Sequence, residues 1–223
     1  MLHPYEYSIV VVAKDHNPTL LNPDFLERNG IVPAEWGWEV DRDEVITTPP
    51  YSRVKYSSGI LIESEAERFK AVARHAENGP FEQPLAGIVQ RYVSVIEHVA
   101  YTAIGVNFQG FILDQDPLRT LLDNFAAPGF EAQLASPITG YGLTVNLHRR
   151  EDARVTLRIA QGTRESPEGQ EDPIINLRAN YRRDLEPRSA VTRIHEILED
   201  VQEDQADYYE LVRALKLKGT SVQ

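Results

Sequence analysis

"YGLTVNLHRREDARVTLRIAQG", Tyr141 to Gly162, decides how this chain folds. Tyr141, Leu143, Val145 and Leu147 alternate with polar or small residues, the charged run Arg149–Asp152 intervenes, and Val155, Leu157 and Ile159 resume the alternation. Side chains along a strand point to opposite faces in turn, so an apolar residue at every second position marks a strand with one buried side and one wet side. Two such runs joined by a short charged turn predict an antiparallel hairpin. Beyond the polar loop GTRESPEGQEDP the pattern returns at Ile175, Leu177, Ala179 and Tyr181, which makes a three-stranded meander.

Toward the C-terminus the period changes. From about Ser189 to Lys218, Ile194, Ile197, Leu198, Val201, Tyr208, Leu211, Val212 and Leu215 fall on one helical stripe, and a cationic last turn with Gly219 suits a helix end. One long helix is expected there. Toward the N-terminus, Asp116-Pro117 opens a short helix carrying Leu118, Leu121, Leu122 and Phe125 and stopped by Pro128-Gly129. Ile104, Val106, Phe108 and Ile112 share one face of a strand over Tyr101–Leu113, and Pro84–Val99 has the i, i+3, i+4, i+7 spacing of an amphipathic helix.

Ser57-Ser58-Gly59 turns a hairpin between Ser52–Tyr56 and Ile60–Ile62, and Tyr5–Ala13 reads as a buried β-branched strand. Residues 64–78 are ambiguous. Ser64 with Glu67 imitates a capping box, but Phe69 and Val72 are the only large apolar residues, which is thin for a helix face and favours a strand at Arg68–Ala73. The stretch from Leu21 to Val40 follows neither period, yet it carries both tryptophans, Trp36 and Trp38. Tryptophan there either pins a long connection or stands out as an interface anchor.

Strands therefore cluster ahead of helices instead of alternating with them. The expectation is an α+β fold with antiparallel sheet packed against helices, two β-rich halves (1–135 and 136–223, or one continuous domain) that echo each other, and a long C-terminal helix.

Composition narrows the function. At 42% hydrophobic and 26% charged, the 223-residue chain can bury a core. It has no cysteine, no apolar run long enough to span a bilayer and no basic leader before Ile9–Ala13, so a soluble, cytoplasmic protein is expected. A net charge of -11 disfavours general affinity for nucleic acid. The charge is uneven: residues 141–193 hold ten arginines against eight acids, and only this segment leans basic.

No phosphate-cradling or nucleophile motif is present. His195-Glu196 begins like a zinc-binding H-E-x-x-H, but Glu199 stands where the second histidine belongs, and the six histidines are scattered; no metal and no cofactor is expected. Two charged surfaces remain. Glu196, Asp200, Glu203, Asp207 and Glu210, spaced 4, 3, 4, 3, form an acidic stripe that is either a dock for a basic partner or an ordinary solvated face. If Val155, Leu157 and Ile159 point inward, Arg154 and Arg158 point out, as do Arg178 and Arg182 beside Asn180. That basic face could grip an anion or pair with acids of the other half.

"LNPDFLERNGIVPAEW" (21–36), "YSSGILIESEAERF" (56–69) and "HVAYTAIGVNFQGF" (98–111) resemble a family of uncharacterised bacterial proteins, frequent in cyanobacteria and similar in layout to the sporadically distributed conserved proteins. Ile194-His195 takes the place of that family's leucine–histidine element near the start of the last helix. The resemblance covers mainly residues 5–113 and supports a strand around Phe69; it implies no catalytic residue.

The leading expectation is a non-enzymatic interaction module, binding another protein or a second copy of itself through charged surfaces. Alternatives are a ligand-binding protein or enzyme using Tyr101, Asn107, Gln109, Tyr181 and His195 between the last helix and the sheet, and RNA or single-stranded DNA binding by the arginine-bearing face.

Overall fold

The computed structural model describes residues 1–74, 84–134, 136–150, 152–166 and 169–217. Its elements run β1 (Leu2–Lys14), α1 (Pro23–Arg28), β2 (Ile46–Thr47), β3 (Tyr51–Lys55), β4 (Ile60–Glu65), β5 (Arg68–Arg74), α2 (Leu85–Val95) and β6 (Ala100–Leu113). They continue with α3 (Pro117–Phe125), α4 (Phe130–Leu134), β7 (Gly142–Arg149), β8 (Ala153–Glu165), β9 (Glu171–Asp184), α5 (Ala190–Glu199) and α6 (Val201–Ala214). The strands of the described residues form one antiparallel sheet in the order β2-β3-β4-β5-β1-β6-β9-β8-β7. This is an α+β fold.

The same unit occurs twice. A strand, a short helix, a three-stranded meander and a longer helix describe both β1-α1-β3-β4-β5-α2 and β6-α3-β7-β8-β9-α5, with β2, α4 and α6 as additions. The two units meet at β1 and β6, which pair antiparallel at the centre of the sheet, and each meander folds back outward from there. The sheet thus runs straight through the expected boundary at 135/136, and the second unit begins at β6 (Ala135 itself is outside the described residues).

One face of the sheet holds the core. Val54, Ile62, Ala71, Ile9, Val106, Tyr181, Val155 and Leu147 lie in register on eight successive strands, and all but Leu147 are buried. Helices α2, α5 and α6 pack on this face. Gly110 is required there: a Cβ would lie 2.8 Å from Leu2 and 3.2 Å from the His3 carbonyl.

Three expectations change. The C-terminal helix is two helices, because Asp200 leaves helical geometry between α5 and α6, and the second ends at Ala214. Asp is a poor helix former, and the apolar spacing continues across the break, so period alone does not reveal it. Lys218 and Gly219 are outside the described residues. Second, the tryptophan-bearing stretch is less irregular than its pattern: Pro23 opens α1, and the Asn22 side chain accepts from the Phe25 N–H at 2.9 Å. A helix of six residues is too short to display a period. Third, α4 follows the Pro128-Gly129 stop. Over 64–78, Ser64 sits buried in β4 and Arg68–Arg74 is a strand, so the capping-box likeness was coincidental; residues 75–78 lie outside the described ones.

Candidate functional site

The long helices pack on one side; on the other, the first unit buries Val72 and Leu61, while the second unit carries mainly polar side chains. Across the second unit they form three rungs. The middle rung is Asn107, Asn180, Thr156 and Asn146, in register on β6, β9, β8 and β7. Asn180 Nδ2 donates to Asn107 Oδ1 at 2.5 Å, and Thr156 Oγ1 to Asn146 Oδ1 at 3.0 Å. On one side of it runs Gln109, Arg178, Arg158 and Thr144; on the other, Gly105, Arg182, Arg154 and His148. The four arginines foreseen from strand alternation are all exposed on this face.

Arginines directly opposite each other on neighbouring strands repel. Arg154 and Arg182 are relieved by Asp184, whose carboxylate takes both guanidinium groups (Arg182 Nε at 3.1 Å). Arg158 and Arg178 pair with no carboxylate among the described residues. Two shallow depressions, of about 480 and 320 Å³, lie over these rungs and share Thr156 and Asn180. The first borders Arg154, Arg182 and His148, and the second borders Arg158, Arg178, Asn107 and Gln109.

The same face of the first unit is closed electrostatically. Glu6, 7% exposed, takes Arg74 Nε at 3.0 Å, Gln109 Nε2 at 2.6 Å and Lys70 at 4.0 Å. Glu63 faces Lys70 at 3.9 Å and accepts from Tyr51 at 2.5 Å, and burial together with that bond pushes the Tyr51 hydroxyl up to about 12. Arg53 pairs with Glu44, and Arg68 with Glu65 at 2.6 Å.

The acidic residues foreseen as a stripe are split by the break at Asp200, and four of the five already have arginines. Glu196 meets Arg193 at 2.6 Å, Asp200 meets Arg150 at 3.8 Å, Glu203 meets Arg150, and Asp207 takes Arg149 Nε at 3.0 Å. Asp207 also accepts from Tyr181 at 2.8 Å; burial first, then this bond, holds the Tyr181 hydroxyl far above its ordinary value. Beneath them Asp204, 1% exposed, takes both Arg183 nitrogens at 2.7 and 2.8 Å. The stripe is largely a seam joining α5 and α6 to the β7–β8 and β9 ends; Glu210 alone has no ion pair among the described residues.

Trp36 and Trp38 are half-buried with rings 4.6 Å apart, Trp38 lies 5.8 Å from Tyr56, and Arg91 sits over Trp36 at 5.2 Å. Both pack on the core. The five residues considered for an internal pocket do not converge: Asn107 and Gln109 are on the open face, while Tyr101 donates to Ile96 O at 3.1 Å, Tyr181 serves Asp207, and His195 lies between Gln90 and Ser94. Among the described residues no three His, Asp or Glu side chains form a metal-holding group, and no helix is long and apolar enough to cross a membrane. Thr156 and Asp184 are members of the surface that alternation predicts but composition hides, since each looks like an ordinary strand or turn residue. No family model, curated protein or solved structure matches this chain.

Proposed function

We propose that the protein is a binding module whose open sheet face, between Arg178–Arg158 and Arg182–Arg154, takes an acidic segment of a partner protein. One observation carries this reading: Arg158 and Arg178 stand in register, both exposed, without a carboxylate among the described residues. Two opposed guanidinium groups offer paired N–H donors that match a carboxylate bidentately. The amide rung beside them supplies donors and acceptors suited to an extended backbone.

A nucleic acid is anionic along its whole length and meets the field of a chain with net charge -11, whereas an acidic segment presents its charge locally. Among the described residues the rings near this face are already engaged: Phe111 is 5% exposed and covered by His3 and Arg164, and the half-buried Tyr5 beside it donates to Gln109 at 3.0 Å.

The test is a titration of the purified protein with a labelled oligoglutamate peptide and, separately, with a single-stranded RNA of equal charge. Peptide binding that weakens with salt, is lost in Arg158→Ala/Arg178→Ala and persists in Arg28→Ala agrees with the proposal. Absent peptide binding, or binding indifferent to the double substitution, refutes it. Tighter binding of RNA transfers the face to the nucleic-acid alternative.

A further inference from the structure

The two ends of the sheet are unequal, although the units that build them share one topology. The first unit's outer strand, β3, is covered by β2, which pairs Ile46 with Arg53 and Thr47 with Ser52. β2 is two residues long and leads into Pro49-Pro50, so it offers almost nothing to a further strand. The second unit's outer strand, β7, has eight residues, no proline and no lysine, and β8 is the one element of the described residues packed extensively against it. On its core side Leu143, Val145 and Leu147 are only half-buried. Long, bare strand edges with apolar side chains pair with other strands.

We infer that β7 pairs antiparallel with β7 of a second copy about a two-fold axis at Val145, extending the sheet across the dimer. The sequence of the strand is self-complementary in this register. Val145 faces Val145, Leu143 faces Leu147 and Tyr141 faces Arg149 on the core side; Thr144 faces Asn146 and Gly142 faces His148 on the open side. No like charges are opposed: valine and leucine meet valine and leucine, Thr144 meets the uncharged Asn146, and Arg149 meets the uncharged Tyr141. A two-fold partner also uses the same patch on both copies, which a single self-complementary strand supplies. Because paired residues share a face, the open faces of both copies align, and the rung Arg178-Arg158-Thr144 continues into Asn146-Thr156-Asn180 of the other copy. The association rests on the strand edge, independent of what the basic face binds.

Light scattering after size exclusion tests it directly. The wild-type chain is expected to run as a dimer that dissociates on dilution. Val145→Arg and Val145→Glu each place like charges face to face at the axis and are expected to be monomers with unchanged circular dichroism, while their equimolar mixture returns to a dimer. The chain has no cysteine, so single-cysteine variants report the register. Residues opposite at a two-fold are close enough for a disulfide, with Cα atoms about 5 Å apart. Val145→Cys is therefore expected to form a covalent dimer on mild oxidation. His148→Cys, about 20 Å from its own copy by strand rise, is expected not to. A wild-type monomer at all attainable concentrations overturns the inference. So does a dimer that survives both charge substitutions, or equal cross-linking of the two cysteine variants.

Discussion

Replacing Asp204 by alanine should be among the most damaging single changes in this protein. Asp204 is 1% exposed and takes both terminal nitrogens of Arg183, itself 5% exposed, at 2.7 and 2.8 Å. The substitution leaves a buried guanidinium without its main counter-charge, and removing one member of such a pair costs about 3–5 kcal/mol. The lower end applies, because Asp152 still meets Arg183 Nε at 3.0 Å. Asp152 is held below the usual carboxylate range: burial opposes ionisation, but bonds from Arg193 and Arg183 outweigh it. For a chain of this size a loss of about 3 kcal/mol lowers Tm by roughly 6–12 °C. The companion variant Arg183→Met/Asp204→Leu removes both charges together, and it should lose much less, since apolar replacement of a whole buried pair is often neutral. Urea unfolding of wild type, both single variants and the double variant closes the cycle. An Asp204→Ala protein within 1 kcal/mol of wild type, or a double variant as unstable as the two singles summed, would refute the idea that this pair is desolvated and mutually dependent.

Arg158→Thr removes one of two like charges set directly opposite, so its unfolding free energy in urea should stay level or rise by a few tenths of a kcal/mol; a large loss would mean that Arg158 is structural. His16, 4% exposed, has its imidazole lowered by burial to about 4. The unfolded chain therefore binds the extra proton first, and stability that is full above about pH 6.5 falls by about 3 kcal/mol as pH drops to 4. His16→Phe, which keeps a ring against Tyr92 and Tyr101, should flatten that part of the urea-midpoint profile, and an unchanged slope would discount the histidine. Gly110→Ala forces a Cβ to within 2.8 Å of Leu2 and 3.1 Å of Tyr208 Oη, an overpacking worth about 1–3 kcal/mol by thermal unfolding.

The strands β7, β8 and β9 were readable because one face of each is largely buried and the other wet, so Val145, Leu157 and Tyr181 announce their direction by position, whereas β1, β5 and β6 are buried over consecutive residues. The four surface arginines follow from the same parity. What stayed hidden has physical causes as well. A stripe of acids looks the same whether water or arginine faces it, and the partners Arg149 and Arg150 come from more than forty residues earlier in the chain, although Arg193 lies one turn from Glu196 on α5. Asp204 sits one residue from Glu203 on the same helix, yet one is 1% and the other 64% exposed in its side chain. Only the packing of α6 on the sheet separates them. The order of strands was equally out of reach, because pairing β9 with β6 requires knowing where a 14-residue strand finds its partner.

The repeated unit gives the binding proposal its force. Two units of equal topology fill the face away from the core differently: the first buries Val72 and Leu61 there, and the second exposes Arg154, Arg158, Arg178 and Arg182. In the first, Glu6 and Glu63 sit among Arg74, Lys70 and Arg53, and each cation there has an acid within 4.0 Å. In the second, the corresponding strands carry four arginines and a histidine, with Asp184 serving two of them. Opposed arginines cost stability, and a threonine or glutamate at either position would remove that cost without disturbing the core side. A surface that keeps such a penalty on one half of a sheet, while neutralising the other half, is explained when an anionic group arrives from outside the chain to complete it.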